Sequence, residues 1–168
     1  MPSLSDAEKT ESQAIISVLV HSTRTTMAVI VSLLVARLCR LPEFYWAPIT
    51  TIVITQSSLG AALKVSWQRF IGTALGAAVG AIAVSRFGTH LWVLAVGIFV
   101  LGPLCFAIRA DRSAYRFGGI ALMIVLLTPH VTPAWRTAFD RFAEVSIGIG
   151  VALLLTLVWP EKEPTPST

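Results

Sequence analysis

Residues 44–63 read FYWAPITTIVITQSSLGAAL and contain no Asp, Glu, Lys or Arg. Residues 87–108, FGTHLWVLAVGIFVLGPLCFAI, are free of these four residue types as well. A helix of a soluble bundle keeps a polar stripe along one face, so charges return every three or four residues. About twenty predominantly apolar residues cross the hydrocarbon core of a bilayer. The two stretches therefore predict membrane-spanning helices.

The composition of the whole chain agrees with this prediction. Of its 168 residues, 55% are apolar and 13% are charged, whereas soluble domains have about 45–50% apolar and about 25% charged residues. Lysines and arginines divide the chain into six apolar stretches, which are 25–39, 44–63, 70–85, 87–108, 117–128 and 145–159. The sequence thus predicts an all-α polytopic membrane protein with six transmembrane helices.

Three parts of the chain follow from this division. We expect the six-helix membrane domain over residues 23–160. Residues 1–22 form a cytoplasmic N-terminal segment with room for an interfacial helix. Residues 161–168 are polar and rich in proline, a composition typical of a disordered tail.

The basic side chains predict orientation and partners. Arg109, Arg112 and Arg116 crowd one predicted loop, and cytoplasmic loops carry an excess of Lys and Arg. We therefore expect a multi-pass protein of the inner (plasma) membrane with both termini in the cytoplasm. The net charge is +4, but the cations are scattered between apolar stretches and form no stripe that could follow a phosphate backbone. The expected partner is the lipid bilayer and not nucleic acid.

Sequence motifs of enzymes are absent. The chain contains no phosphate-binding loop, no nucleophile elbow and no zinc-binding His-Glu-x-x-His motif. Cys39 and Cys105 are far apart and make neither a disulfide framework nor a metal-ligand spacing. We expect no enzyme and no cofactor or metal.

The two halves of the chain share a weak repeat. RF at 69–70 followed by LG at 75–76 matches RF at 141–142 followed by IG at 147–148, an offset of 72 residues. Each copy would contain three helices, and an odd number of spans reverses the second copy. The sequence thus allows two inverted three-helix repeats, an architecture in which transporters place their path between the halves.

Small residues and prolines suggest close packing or a path. Gly72, Gly76 and Gly80 recur every four residues, so one helix face is nearly without side chains. This face serves either tight helix packing or a smooth lining of a substrate path. Pro48 and Pro103 interrupt predicted helices, and each either kinks its helix or frees carbonyls that line a polar cavity.

Charges at the ends of apolar stretches are candidate functional groups. Arg24, Arg69 and Arg141 precede stretches that are short for a full span, so they lie at the membrane interface or just inside it. Such an arginine either snorkels to the headgroups or forms part of a functional site. Asp140 and Glu144 are one helical turn apart beside Arg141. They could form ion pairs with arginines or take up a proton during transport.

Several motifs together resemble one family. YWAPIT at 45–50, QSSLG at 56–60, RFIGTALG at 69–76 and RFAE at 141–144 are similar to motifs of the fusaric acid resistance protein-like (FUSC) family. These are membrane domains of bacterial aromatic acid exporters, distantly similar to plant aluminium-activated malate transporters. The resemblance covers residues 20–161. It implies a six-helix inner-membrane domain that exports aromatic or other organic carboxylates.

Larger members of the family carry a cytosolic domain that this sequence, which stops at Thr168, does not contain. We therefore expect a homodimer or a higher homo-oligomer. The leading hypothesis is a transporter of organic anions, and the alternative is a non-transporting membrane subunit that packs against a partner through its glycine-rich face. The candidate substrate-binding residues, chosen for their chemistry, are Arg24, Tyr45, Thr50, Gln56, Arg69 and Arg141. The proton-coupling candidates are Asp140 and Glu144, and the helix-packing residues are Gly72, Gly76 and Gly80.

Overall fold

A computed structural model describes residues 4–55, 58–128 and 133–159, and the regular secondary structure in these ranges is entirely α-helical. The helices are α1 (Leu4–Leu38), α2 (Trp46–Ile54), α3 (Leu59–Phe87), α4 (Leu91–Ala107), α5 (Arg112–Leu127) and α6 (Ala134–Val158). The predicted all-α class is confirmed. Among the described residues, Glu11–Leu38, α3 and α6 are long and apolar enough to cross a membrane, and α4 is a shorter apolar helix.

The uncharged stretch 44–63 is not one helix, so the prediction of a single span there is wrong. α2 ends at Ile54, and α3 begins after Ser58. The Ser58 side chain accepts a hydrogen bond from the backbone N–H of Ala61 at 3.3 Å. Serine is a favoured N-cap because its oxygen satisfies a backbone donor that has no partner within the helix. This cap starts a new helix inside a stretch that hydropathy alone joins.

The predicted breaks at charged residues are also wrong in places. Residues 64–69 were expected to separate two spans, but they lie within α3. Residues 22 and 23, the predicted domain boundary, lie within α1, and the entrance arginine Arg141 lies within α6. Lys, Arg and Glu are good helix formers, so they mark a change of environment without ending the helix.

The two prolines differ in their surroundings. Pro48 is the third residue of α2, whereas Pro103 lies inside α4. Backbone N–H groups in the first turn of a helix have no intrahelical acceptor, so Pro48 costs α2 no hydrogen bond. The expected interior kink at Pro48 is therefore wrong, and the proline helps α2 to begin.

Helices α3 and α5 run parallel in close contact. Gly72 faces Ala114, and further along both helices Gly80 faces Val125. A Cβ atom built on Gly76 would overlap the backbone carbonyl of Gly118. The glycine face of α3 is thus covered by α5 of the same chain, which leaves this face no room for the partner that the alternative hypothesis places there.

Helices α2 and α6 form a second parallel pair. A Cβ atom on Gly148 would lie 2.5 Å from the carbonyl oxygen of Ala47. Further along, Ile54 packs with Ala62 and Ala152 in a buried apolar cluster. α3 and α6 run antiparallel between the two pairs, with Ala62 beside Ala152 and the ring of Phe70 beside that of Phe142.

The outside of the bundle is strongly apolar. Leu91 and Phe106 are 83% and 84% exposed, and Phe99 is 77% exposed. Soluble proteins rarely expose large continuous apolar areas, because such surface drives association in water. Together with the apolar helices, this surface indicates a protein whose solvent is the lipid bilayer.

Candidate functional site

Arg69 is buried in the centre of the bundle and is 6% exposed. Its Nε donates a hydrogen bond to Oγ1 of Thr50 at 3.2 Å. Its guanidinium carbon lies 4.8 Å from the centroid of the Phe117 ring, a distance typical of a cation–π interaction. Within the described part of the chain, no carboxylate lies at ion-pair distance from Arg69.

Arg141 is equally buried but has acidic partners. Its guanidinium lies over the ring of Trp46, with 4.9 Å between the guanidinium carbon and the ring centroid. Nη1 lies 3.1 Å from Oε2 of Glu144, and Nη2 pairs with the carboxylate of Glu43. The charge of Arg141 is thus balanced inside the protein, whereas that of Arg69 is not.

A small cavity separates the two arginines. Its volume is about 20 Å³, and Arg69, Arg141, Trp46, Phe117 and Thr73 contribute to its wall. A cavity needs about 10–15 Å³ to hold one water molecule, so this cavity has room for about one water and not for an organic acid. We call it the arginine cavity.

Two larger clefts lie beyond the arginine cavity. The α1–α2 cleft has a volume of about 560 Å³ and is lined by Arg40, Glu43, Arg136, Asp140 and Arg141, among others. The α4–α5 cleft has a volume of about 210 Å³, and its polar lining consists of Lys64, Gln68, Arg109 and Asp111. Arg141 lines both the α1–α2 cleft and the arginine cavity, so its ion pairs stand between the two.

The structure brings five of the sequence-predicted residues into one connected set. Thr50 contacts Arg69, Glu144 contacts Arg141, and the hydroxyl of Tyr45 reaches the same Glu43 carboxylate that pairs with Arg141. The arginine cavity joins the two arginine groups.

The other predicted residues lie elsewhere. Arg24 is buried in α1 and does not line the arginine cavity. Asp140 lies in the α1–α2 cleft, and Gln56 lies outside the described residues. Gly72, Gly76 and Gly80 face α5.

Sequence reasoning missed Glu43. This residue precedes α2 in the short connection after α1 and accepts hydrogen bonds from Tyr45 and Trp46 besides pairing with Arg141. One signal could have identified it. It is an isolated carboxylate directly before the apolar run that starts at Phe44, where a buried arginine is its natural partner.

An apolar exterior around buried arginines defines an all-helical membrane protein with a polar centre. The sequence model of the family described as fusaric acid resistance protein-like matches residues 28–155, and the chain belongs to this family. The resemblance seen in its motifs is thereby confirmed.

Individual relatives are membrane proteins of bacteria. The chain is 30% identical over 148 residues to inner membrane protein YeeA of Escherichia coli K12, covering 86% of this chain and 42% of that protein. It is 23% identical over 140 residues to the uncharacterized protein YqjA of Bacillus subtilis 168, covering 83% and 42%. It is 26% identical over 151 residues to the uncharacterized transporter YdhK of Escherichia coli K12, covering 84% and 22%.

The chain thus spans 42% or less of the length of these three relatives. No protein of solved structure matches it.

Proposed function

We propose that the chain is a membrane domain that transports organic anions, aromatic carboxylates among them, and that it has no enzymatic activity. The observation that carries this proposal is the buried guanidinium of Arg69 beside the arginine cavity, without a carboxylate partner in the described part of the chain. A charge inside a membrane protein is costly unless it is paired, and such residues commonly mark substrate pathways. An anionic substrate would supply the missing counter-charge.

The family relationship supports the same class of function. The relative YdhK is named a transporter, and YeeA is named an inner membrane protein. We propose the inner membrane as the location, with six crossings and both termini in the cytoplasm.

Contacts at constant sequence offsets support two inverted copies, α1–α3 and α4–α6. Arg69 stacks on Phe117 and Arg141 stacks on Trp46, with 4.8 and 4.9 Å to the ring centroids. The arginines are 72 residues apart and the aromatic residues are 71 apart. In this proposal the arginine cavity lies between the two copies, where inverted-repeat transporters hold their substrate.

The ends of α1 and α4 correspond in the same way. Arg40 and Arg109 follow these helices with φ of 54° and 55°, in the left-handed region that few residues other than glycine adopt. The next residue in each case donates back to a carbonyl five residues earlier, Leu41 to Ala36 at 3.3 Å and Ala110 to Cys105 at 2.9 Å. Both ends are thus closed by the same type of cap.

The carboxylates do not follow the repeat. At the same offsets, Glu43 and Glu144 correspond to Ala114 and Gly72, which cannot carry charge. Arg69 therefore lacks the acidic partners of Arg141, and we propose Arg69 as the principal anion-binding residue in the arginine cavity. Because this cavity holds only about one water, the substrate requires a second conformation in which the cavity is wider.

Two further roles belong to the same proposal. Glu144 is fully buried beside Arg141 and Asp140 lines the α1–α2 cleft, so both remain candidates for proton coupling. We also propose a homodimer or a higher homo-oligomer, which light scattering of the purified protein measures directly.

Uptake of radiolabelled benzoate into liposomes containing the purified protein tests the function. We expect Arg69→Gln to lower the uptake rate at least about tenfold, because the cation that attracts the carboxylate is lost. Arg69→Lys should restore part of the rate, since lysine offers a point charge without the planar fork. Thr50→Val, which removes the acceptor for Arg69 Nε, should lower the rate by a smaller factor.

The matched control is Arg112→Gln, which removes an exposed arginine at the start of α5. Its uptake rate should equal that of the unmodified chain. If Arg69→Gln folds normally and transports as fast as the unmodified chain, Arg69 does not bind the substrate. If the unmodified chain moves none of a panel of aromatic and aliphatic carboxylates, the proposed function is wrong.

A further inference from the structure

Three donors converge on one carboxylate oxygen in the α1–α2 cleft. Oε2 of Glu43 accepts hydrogen bonds from the indole N–H of Trp46 at 3.1 Å and from the hydroxyl of Tyr45 at 3.0 Å. The same oxygen pairs with the guanidinium of Arg141. A guanidinium with additional neutral donors is a typical protein site for a carboxylate, and charge-assisted bonds make it strong.

The cation of this site is held in place without the help of the Glu43 side chain. Glu144 lies one helical turn beyond Arg141 on α6, and its Oε2 is 3.1 Å from Arg141 Nη1. The ring of Trp46 on α2 supports the other side of the guanidinium. The side chains of Arg141 and Glu144 are 4% and 0% exposed, so packing restricts both. The site is therefore preorganised to receive an anion.

The carboxylate that fills the site comes from a different kind of element. Glu43 lies in the connection between α1 and α2, outside both helices, and its side chain is 26% exposed. It borders the α1–α2 cleft, whose volume of about 560 Å³ falls in the range of about 300–1,000 Å³ that small-molecule sites occupy. Arg40 and Arg136 add positive charge to the walls of the cleft. A free carboxylate can thus approach the place that Glu43 holds.

We propose that Arg141, Trp46 and Tyr45 form a binding site for the carboxylate of an organic acid, and that Glu43 occupies this site as a tethered competitor. The proposal rests on the proposed function for the identity of its ligand, but it concerns binding and not transport. A tethered group competes at a high effective concentration, so it lowers the apparent affinity for a free ligand. The affinity falls in proportion to the fraction of molecules in which Glu43 has left the site.

Fluorine NMR of 4-fluorobenzoate with the full chain in detergent micelles measures this affinity. Glu43→Ala removes the competitor, and we expect the dissociation constant for 4-fluorobenzoate to fall at least about tenfold. Glu43→Gln keeps the size of the side chain and removes only its charge, so the constant should fall by a smaller factor. Acetate should compete with 4-fluorobenzoate for the same site, because the site recognises the carboxylate.

Two controls separate a specific site from general electrostatics. Asp140→Asn removes a second negative charge from the lining of the same cleft, and it should leave the dissociation constant within about twofold of the unmodified value. Trp46→Phe, introduced together with Glu43→Ala, keeps an aromatic ring and removes the indole donor. This double variant should bind 4-fluorobenzoate several-fold more weakly than Glu43→Ala alone.

The proposal is overturned if Glu43→Ala and Glu43→Gln bind 4-fluorobenzoate no more tightly than the unmodified chain, or if Asp140→Asn tightens binding as much as they do. Failure of both Glu43 variants to accumulate would show that this carboxylate is a structural lock, which also overturns it. Tighter binding without uptake into liposomes would support this site and refute the transport function. Uptake that depends on Arg69, without tighter binding in the Glu43 variants, would do the reverse.

Discussion

The rings of Phe70 and Phe142 lie against each other, with centroids 4.8 Å apart and planes inclined at 58°. Phe70 directly follows Arg69 on α3, and Phe142 directly follows Arg141 on α6. The aromatic contact therefore joins the two antiparallel helices at the level of the arginine cavity. It also joins the residues at which the sequence repeats itself.

This contact predicts a measurable coupling between the two rings. A tilted aromatic pair contributes about 0.5–1.5 kcal/mol beyond the area that it buries. We expect Phe70→Leu and Phe142→Leu to show an interaction energy of this size in a double-mutant cycle on unfolding in mixed micelles. Phe99 is 77% exposed, so Phe99→Leu combined with Phe142→Leu should be additive within about 0.5 kcal/mol. Additive effects of the first pair would contradict the contact.

The close approach of α3 and α5 predicts a steric effect at Gly76. A leucine there would collide with the backbone of Gly118, so the helices must separate. Overpacking of this kind costs about 1–3 kcal/mol, and we expect a clearly lower melting temperature in detergent for Gly76→Leu. No heavy atom beyond its own helix lies within 4 Å of the Cβ position of Gly119, so Gly119→Leu should melt like the unmodified chain. Equal stability of all three proteins would refute the packing of these helices.

The buried ion pair predicts unequal effects of two neighbouring carboxylates. Glu144→Gln leaves Arg141 with Glu43 alone, and removal of one partner of a buried pair costs about 3–5 kcal/mol when no other partner remains. We expect about 2 kcal/mol of destabilisation here, because Glu43 still compensates part of the charge. Asp140→Asn, at a half-exposed position on the same helix, should change the unfolding free energy by less than about 0.5 kcal/mol. Similar losses for both variants would argue against a special role of Glu144.

The proposed orientation predicts which loops are accessible from outside the cell. Thr89 lies between α3 and α4, and Ala110 lies between α4 and α5. In a Cys39→Ser, Cys105→Ser background, Thr89→Cys should react with an impermeant thiol reagent added to intact cells, whereas Ala110→Cys should react only after the cells are opened. Labelling of Ala110→Cys alone in intact cells would reverse the orientation.

Helix ends were less predictable than helix content. Hydropathy treats residues 44–63 as one stretch, but the Ser58 cap starts a new helix there. In the opposite sense, charges at positions 64 and 69 suggested a break where α3 continues. Lipid and protein surroundings determine where a charge is tolerated, whereas caps and backbone hydrogen bonds determine where a helix ends. The two signals therefore need not coincide.

The candidate site was predictable only in its cations. Arg69 and Arg141 were identifiable because a charge before a short apolar stretch is unusual in any membrane protein. Their difference was not identifiable, because it depends on Glu43, which reaches Arg141 across 98 positions of the chain. The backbone of Glu43 also meets Glu144 across 101 positions. Such distances in sequence leave no periodic signal.

The sequence by itself determined the class of this protein, since the lack of charge over 44–63 and 87–108 and the motifs around Arg69 are sufficient for a helical membrane protein of the FUSC family. Hydrophobicity and helix propensity belong to each residue and its near neighbours, so they can be read along the chain. The tertiary structure alone decided that α5 covers Gly76, that Thr50 holds Arg69 and that Glu43 occupies the carboxylate position beside Arg141. These pairings depend on how helices approach one another in space, and that approach is determined by small residues and buried charges on different helices acting together.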